Sequence, residues 1–278
     1  MPFAAPLGTT LVGPLGAGST CDVARVRTDA GLSVACKRLL PQHRTSHAAR
    51  VALAREARAL ELARHPSIPV LIGVGSDACG PFVLESLVEG PSLREVKAHW
   101  RGRVPFTLAC HASAEAARIL RELHALADEG GPVALVHGDV APDNLRLGAF
   151  GAVGILDFGH ARTRSFTRDL DTGALGTPPY LAPELVRGEA VPTASTDVYA
   201  LAATAAWLLL DGEQPLVGAS NDAAMWLEIG ERGLDPARFA ALPNALVGVL
   251  SAMLRPDPAA RQVDLATLER TLASIRPG

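Results

Sequence analysis

The sequence predicts an α+β fold of two unequal lobes: a small N-terminal β-sheet lobe with one helix, then a larger, mainly helical C-terminal lobe. Three observations point there. A chain of 278 residues suits about two folding units. Short Val- and Leu-rich runs divided by glycine turns fill the first third of the chain. After Gly90 the apolar period lengthens to that of helices. With 48% hydrophobic and 20% charged residues, each lobe has material for a core. The boundary is expected between residues 88 and 89, the two lobes together forming one domain.

In order, the small sheet is interrupted by an alanine- and arginine-rich helical segment from about His47 to Arg64. Beyond Gly90, helical periods run over Thr107–Ala127, Ser195–Leu210, Asn221–Glu231, Asn244–Leu254 and Asp264–Ile275. Between the first two, Leu145–Leu147 and Val153–Leu156 read as a short hairpin that presents Asp157. No internal repeat, heptad array or low-complexity tail interrupts this order.

The net charge of −3 offers no concentrated basic face, so neither nucleic acid nor an anionic membrane is expected as a partner. Cys21, Cys36, Cys79 and Cys110 have neither the paired spacing of a zinc site nor the density of a disulfide scaffold, and reduced thiols are expected. Met1 to Pro6 lacks a basic region followed by an apolar core, and the longest apolar run, Ala200–Leu210, is too short to span a bilayer. A cytoplasmic chain without membrane insertion is the expectation.

Of 26 basic residues only Lys37 and Lys97 are lysines. A lysine in so arginine-biased a chain suggests a site where a compact ammonium fits and a guanidinium fork does not. That reading is applied to Lys37, in Val34-Ala35-Cys36-Lys37. Lys97, in an amphipathic stretch after Leu93, is expected on a solvated face.

The chemistry concentrates in His137-Gly138-Asp139-Val140-Ala141-Pro142-Asp143-Asn144 and Asp157-Phe158-Gly159, followed by Gly176-Thr177-Pro178-Pro179-Tyr180-Leu181-Ala182-Pro183-Glu184. Phosphoryl transfer to a hydroxyl needs a carboxylate at the nucleophile and oxygen ligands for magnesium between the phosphates, and these residue types supply both. Their order and spacing resemble the catalytic loop, metal-binding loop and activation-segment end of the protein kinase family, in particular bacterial Ser/Thr protein kinases with His-Gly-Asp in place of His-Arg-Asp. The bias to Ala, Arg, Gly and Pro fits a GC-rich bacterial genome. The resemblance covers nearly the whole chain and implies a bilobal kinase fold, ATP and Mg²⁺ as cofactors, a protein substrate offering Ser or Thr, and a regulatory protein partner.

Residue by residue, the resemblance implies that Asp139 orients the substrate hydroxyl, Asn144 holds one magnesium, and Asp157 bridges metal and phosphates. Lys37 would reach the α- and β-phosphates, paired with Glu56, which lies 19 residues later. Gly16 and Gly18, in Gly16-Ala17-Gly18-Ser19-Thr20-Cys21-Asp22-Val23, would cover phosphates, with Val23 capping the adenine and Ala35 beside it. Cys21 takes the place of a third glycine and narrows backbone freedom there. In the stretch joining the lobes, Leu84 would guard the back pocket, while the Glu85 carbonyl and Leu87 amide would bond adenine. Leu60, Leu71, Phe158 and His137 would stack as an apolar column. Glu184 is expected to pair with Arg261, and Asp197 to anchor the catalytic-loop backbone.

Three positions depart from the family pattern. Gly138 replaces an arginine that pairs with a phosphorylated activation loop, which implies little dependence on phosphorylation of Thr163, Ser165, Thr167 or Thr172. Ala141 replaces a lysine that contacts the transferring phosphate, implying a slower chemical step. Arg146 stands where an apolar residue floors the adenine pocket, a role its stem can fill. His-Gly-Asp is also similar to aminoglycoside phosphotransferases, but those lack the Gly176-to-Glu184 segment. Thr177, in the peptide-docking position, favours Ser/Thr specificity. The competing expectation is a pseudokinase, a nucleotide-binding or scaffolding module.

Overall fold

The computed structural model describes residues 3–128, 131–163, 176–217 and 222–275. Five antiparallel strands form the first sheet: β1 (Thr9–Ala17), β2 (Cys21–Thr28), β3 (Ser33–Leu39), β4 (Leu71–Asp77) and β5 (Gly80–Ser86), in the order β1-β2-β3-β5-β4. Helix α1 (His47–Leu62) enters between β3 and β4, with Ser46 accepting from the Ala49 N–H as its N-cap.

Strand alternation divides the sheet into two faces. Cys21, Leu39 and Val83 pack inward with Ala49, Leu53 and Ala57 of α1. Val26, Val34 and Cys36 point outward, where Phe3, Ala5, Phe82 and Leu84 cover them. Lys37 and Ala35 alternate with Cys36 and therefore share the inner face, which looks toward the second lobe.

The second lobe contains α2 (Leu93–His99), α3 (Phe106–His124), the ribbons β6 (Ala127–Asp128) with β7 (Gly131–Pro132) and β8 (Leu145–Leu147) with β9 (Val153–Ile155), then α4 (Pro183–Val186), α5 (Ala194–Leu209), α6 (Asp222–Arg232), α7 (Asn244–Met253) and α8 (Leu265–Ser274). Helix α5 is buried on all sides from Thr196 to Leu209, as suits a run dominated by alanine and leucine. The Thr193/Thr196 pair caps its start. Helices α3 and α7 pack around it, and α8 lies against α3. The expected helices are present with ends shifted by one or two residues, except that α3 stops three residues early, where the chain turns into β6. No helix among the described residues is long and apolar enough to cross a membrane.

Lys97 corrects the sequence reading, because it is 2% exposed rather than solvated. Its Nζ donates to the carbonyl of Trp207 and, at 2.9 Å, to that of Leu210, and stands 4.3 Å from the centre of the Trp207 ring. It thus satisfies carbonyls left open at the C-terminal end of α5, where the helix dipole also favours a cation.

Candidate active site

The site lies between the inner face of the sheet and the loops that flank β8 and β9. Lys37 Nζ stands 2.8 Å from Oε1 and 2.7 Å from Oε2 of Glu56 on α1, and 2.8 Å from Oδ1 of Asp157. Three elements distant in sequence therefore converge on one ammonium. Burial alone would lower the Lys37 pKa, but the Asp157 and Glu56 carboxylates raise it well above its ordinary value, so the ammonium stays charged. Desolvation likewise opposes the charge on Asp157, and the Lys37 ammonium more than offsets it, holding that carboxyl well below the usual range. Asp157 has a φ of +65°. A non-glycine residue in the left-handed region marks a backbone fixed by its surroundings.

The loop that begins at His137 is tied to α5. Asp197 accepts from the His137 N–H and the Gly138 N–H, each at 2.8 Å, and its Oδ2 lies 2.8 Å from His124 Nε2. Burial would raise its pKa, yet the His124 contact and these amide donors lower it, so the carboxylate anchors the loop in ionised form. Asp139 is held from two sides. Thr177 donates its N–H to Oδ1 at 2.8 Å and its hydroxyl to Oδ2 at 3.2 Å, while Asn144 Nδ2 donates to the Asp139 carbonyl at 2.8 Å and to Oδ2 at 3.1 Å. A β-carbon on Gly176 would come within 2.8 Å of Asp139 Oδ1 and would displace that carboxylate from its place.

His137 and Phe158 are fully buried, their rings edge to face at 4.9 Å, and Leu60 is buried in the same core, with Leu71 packed partly against it. Arg261 makes a two-pronged contact with Glu184 at 2.6 and 2.7 Å. Arg146 reaches from β8 to the Gly90 carbonyl and to Glu95 Oε2, both at 3.2 Å. Ala141 is fully buried in the larger core. Ser165, Thr167 and Thr172 lie outside the described residues.

Across the sheet, Val23 pairs with Lys37 and Ala35 with Glu85. Gly16 pairs with Val23 at the end of the β1–β2 hairpin, and the Gly18 N–H bonds the Cys21 carbonyl at 2.7 Å to close the turn. A β-carbon on Gly16 would meet nothing within 4 Å, and one on Gly18 would make only ordinary contact at 3.7 Å. The fold itself does not require glycine at either position. Cys21 points beneath the turn into the α1 contact, and burial pushes its thiol up to about 11.

The stretch joining the lobes differs from the sequence reading by one position. Leu84 faces outward with Val26, Val34 and Cys36, so it does not guard the site. Glu85, paired with Ala35 on one side and Leu71 on the other, lies within the sheet and turns its side chain to the inner face. The Ser86 N–H bonds the Val70 carbonyl at 2.9 Å toward β4. Alternation then aims the Glu85 backbone at β3, where its carbonyl belongs to the ladder. The chain leaves the sheet only at Leu87 and Val88. The run Phe82-Val83-Leu84 is apolar throughout, so the sequence alone does not fix which residues point inward.

Residues 9–270 match the model of the protein kinase domain. Among curated relatives, the chain is similar to the serine/threonine-protein kinase PknB of Mycobacterium leprae, 29% identical over 231 residues that cover 81% of this chain and 36% of the relative. PknB of Mycobacterium tuberculosis matches at 29% over 232 residues, with the same shares. The DNA damage-responsive serine/threonine-protein kinase RqkA of Deinococcus radiodurans matches at 32% over 227 residues, 78% of this chain and 33% of the relative. The chain thus spans about a third of the length of these relatives. A family match running from β1 into α8, over a fold that brings Lys37, Glu56 and Asp157 together, shows that the chain belongs to the protein kinase family.

Proposed function

We propose that this chain is a Ser/Thr protein kinase that transfers the γ-phosphate of ATP to protein hydroxyl groups in bacterial signalling. The observation that carries the reading is the Lys37 ammonium held between Glu56 and Asp157, aimed where phosphates would lie beneath the glycine turn. Gly16 and Gly18, which the fold itself does not require, leave backbone free to approach those phosphates. Asp139, fixed by Thr177 and Asn144, is the group that would orient the attacking hydroxyl. Thr177 beside Asp139 supports a Ser or Thr acceptor.

The donor set suits magnesium. Asn144 and Asp157 offer hard oxygen donors, and no group of three or more His, Cys, Asp or Glu among the described residues would hold a metal unaided. That is the pattern of an ion shared with substrate phosphates. When bound, it would neutralise phosphate charge. The chain's own residues position the lysine, the base and the acceptor.

Incubation with γ-labelled ATP, Mg²⁺ and a generic protein substrate tests the reading. Wild type should label Ser or Thr, Lys37→Met should lose transfer, and Asp139→Asn should lose it by a factor of about 100 or more, roughly 2.7 kcal/mol of barrier. Asp139→Asn should still gain about 2.7 kcal/mol of stability from Mg-ATP at about 100 times its dissociation constant. A second reading, a nucleotide-binding scaffold, draws on the buried and uncharged Ala141. It takes precedence if wild type binds Mg-ATP but transfers no better than Asp139→Asn. Absence of any nucleotide-induced shift would remove both readings.

A further inference from the structure

One polar side chain on the inner face of the sheet has no part in the ion pairs above. Glu85 is 7% exposed, and its Oε2 is buried without a hydrogen-bond partner. In the β3–β5 ladder it lies opposite Ala35, two residues from Val83, which lies opposite Lys37. The carboxyl therefore points into the same cleft as Lys37, farther along toward the stretch that joins the lobes. A buried carboxyl left unpaired costs stability, and a ligand in the cleft is the partner in reach.

We propose that Glu85 reads the base of the nucleotide, its carboxyl group pairing with the adenine edge that carries the 6-amino group and N7. This rests on the ATP-binding reading above, in which Val23 and Ala35 cover the base; the residue opposite Ala35 then meets the inner edge of that base. Adenine presents there an amino donor beside a ring-nitrogen acceptor, whereas guanine presents two acceptors. A carboxylic acid offers a carbonyl acceptor beside an O–H donor, which matches adenine at both atoms and guanine at only one.

The surroundings of Glu85 favour that protonated form. Burial first and the Glu56 carboxylate second push its carboxyl up to about 8, with Asp157 adding to the rise and Lys37 opposing it. These charges face it from α1, from the loop after β9 and from β3. Glutamine would present the same acceptor and donor pair with no proton to lose.

Dissociation constants for Mg-ATP, Mg-GTP and Mg-7-deaza-ATP, measured by calorimetry on the full chain as wild type, Glu85→Gln and Glu85→Leu, test the proposal. Wild type near pH 7 should bind ATP about tenfold more tightly than 7-deaza-ATP, which lacks the N7 acceptor, and should discriminate at least as strongly against GTP. Glu85→Gln should keep the 7-deaza ratio from pH 6.5 to 9, while the wild-type ratio shrinks as the pH rises. Glu85→Leu should bring the ratio within about twofold. Its melting temperature should match or exceed that of wild type, since an unpaired buried carboxyl is gone, and this separates lost pairing from lost folding. Equal wild-type affinities for ATP and 7-deaza-ATP, or a ratio that survives in Glu85→Leu, would overturn the proposal while leaving ATP binding in place. Failure of wild type to bind any of the three nucleotides would overturn the proposed function along with it.

Discussion

Gly138 stands with a φ of +82° against the carbonyl oxygen of His160, so close that a β-carbon on it would overlap that oxygen. The arginine common at this position in the family is therefore disfavoured twice, by the left-handed backbone and by the contact. Gly138→Ala and Gly138→Arg should each destabilise the chain by roughly 1–3 kcal/mol. Urea denaturation should show a lower midpoint with an unchanged slope. A Gly138→Arg midpoint equal to wild type would mean that the loop separates from His160 without cost, and that the missing arginine could be restored.

Most of the fold is legible because its signals are local. Ser46, Thr193 and Asp264 each cap a helix whose period was already plain, and the Asp139, Asn144 and Asp157 spacing needs only a loop and a hairpin. What escaped depends on partners far along the chain. The inward position of Glu85 is set by pairing with Ala35, 50 residues earlier, in a run whose apolar character hides its register. Lys97 looked solvated because the carbonyls it serves lie 110 and 113 residues away. One signal was available: the scarcity of lysine that singled out Lys37 applies equally to Lys97, and both prove to be buried ammonium sites.

Lys97 should therefore tolerate neither loss nor enlargement. Lys97→Met keeps much of the stem but leaves the carbonyls of Trp207 and Leu210 without their donor, an expected loss of about 2–6 kcal/mol at roughly 1–3 per buried group. Lys97→Arg keeps the charge but asks a planar fork to enter a space shaped for an ammonium, and should cost about 1–3 kcal/mol by overpacking. Thermal and chemical denaturation of both variants check this. An arginine variant as stable as wild type would show that charge alone matters.

Arg261 and Glu184 make a buried ion pair, their side chains 0% and 5% exposed, with the guanidinium 4.9 Å from the centre of the Tyr199 ring. Removing one partner strands a charge away from water. Arg261→Met should lose about 3–5 kcal/mol, and the double variant with Glu184→Leu should recover much of that loss. A double-mutant cycle by urea denaturation measures the coupling. Purely additive losses would show that the pair contributes only through its separate packing contacts.

Stability should also report the protonation of Glu85. The folded-state pKa, about 8, lies above the ordinary value of 4.5, so between these limits the folded chain holds a proton that the unfolded chain has released. Stability from this group is thus fully present below about 4.5 and is lost as the pH rises through about 8. Asp157 and Asp197, whose pKa values are lowered, act in the opposite sense. Their contribution is complete above the unfolded carboxylate value of about 3.9 and is lost only on acidification below it, leaving the window between 4.5 and 8 to Glu85 among these three. Glu85→Gln cannot titrate. The stability of Glu85→Gln relative to wild type should therefore grow from pH 5 to pH 8 and level off above that. Parallel melting-temperature profiles for the two proteins across this range would show instead that Glu85 is already ionised in the folded chain.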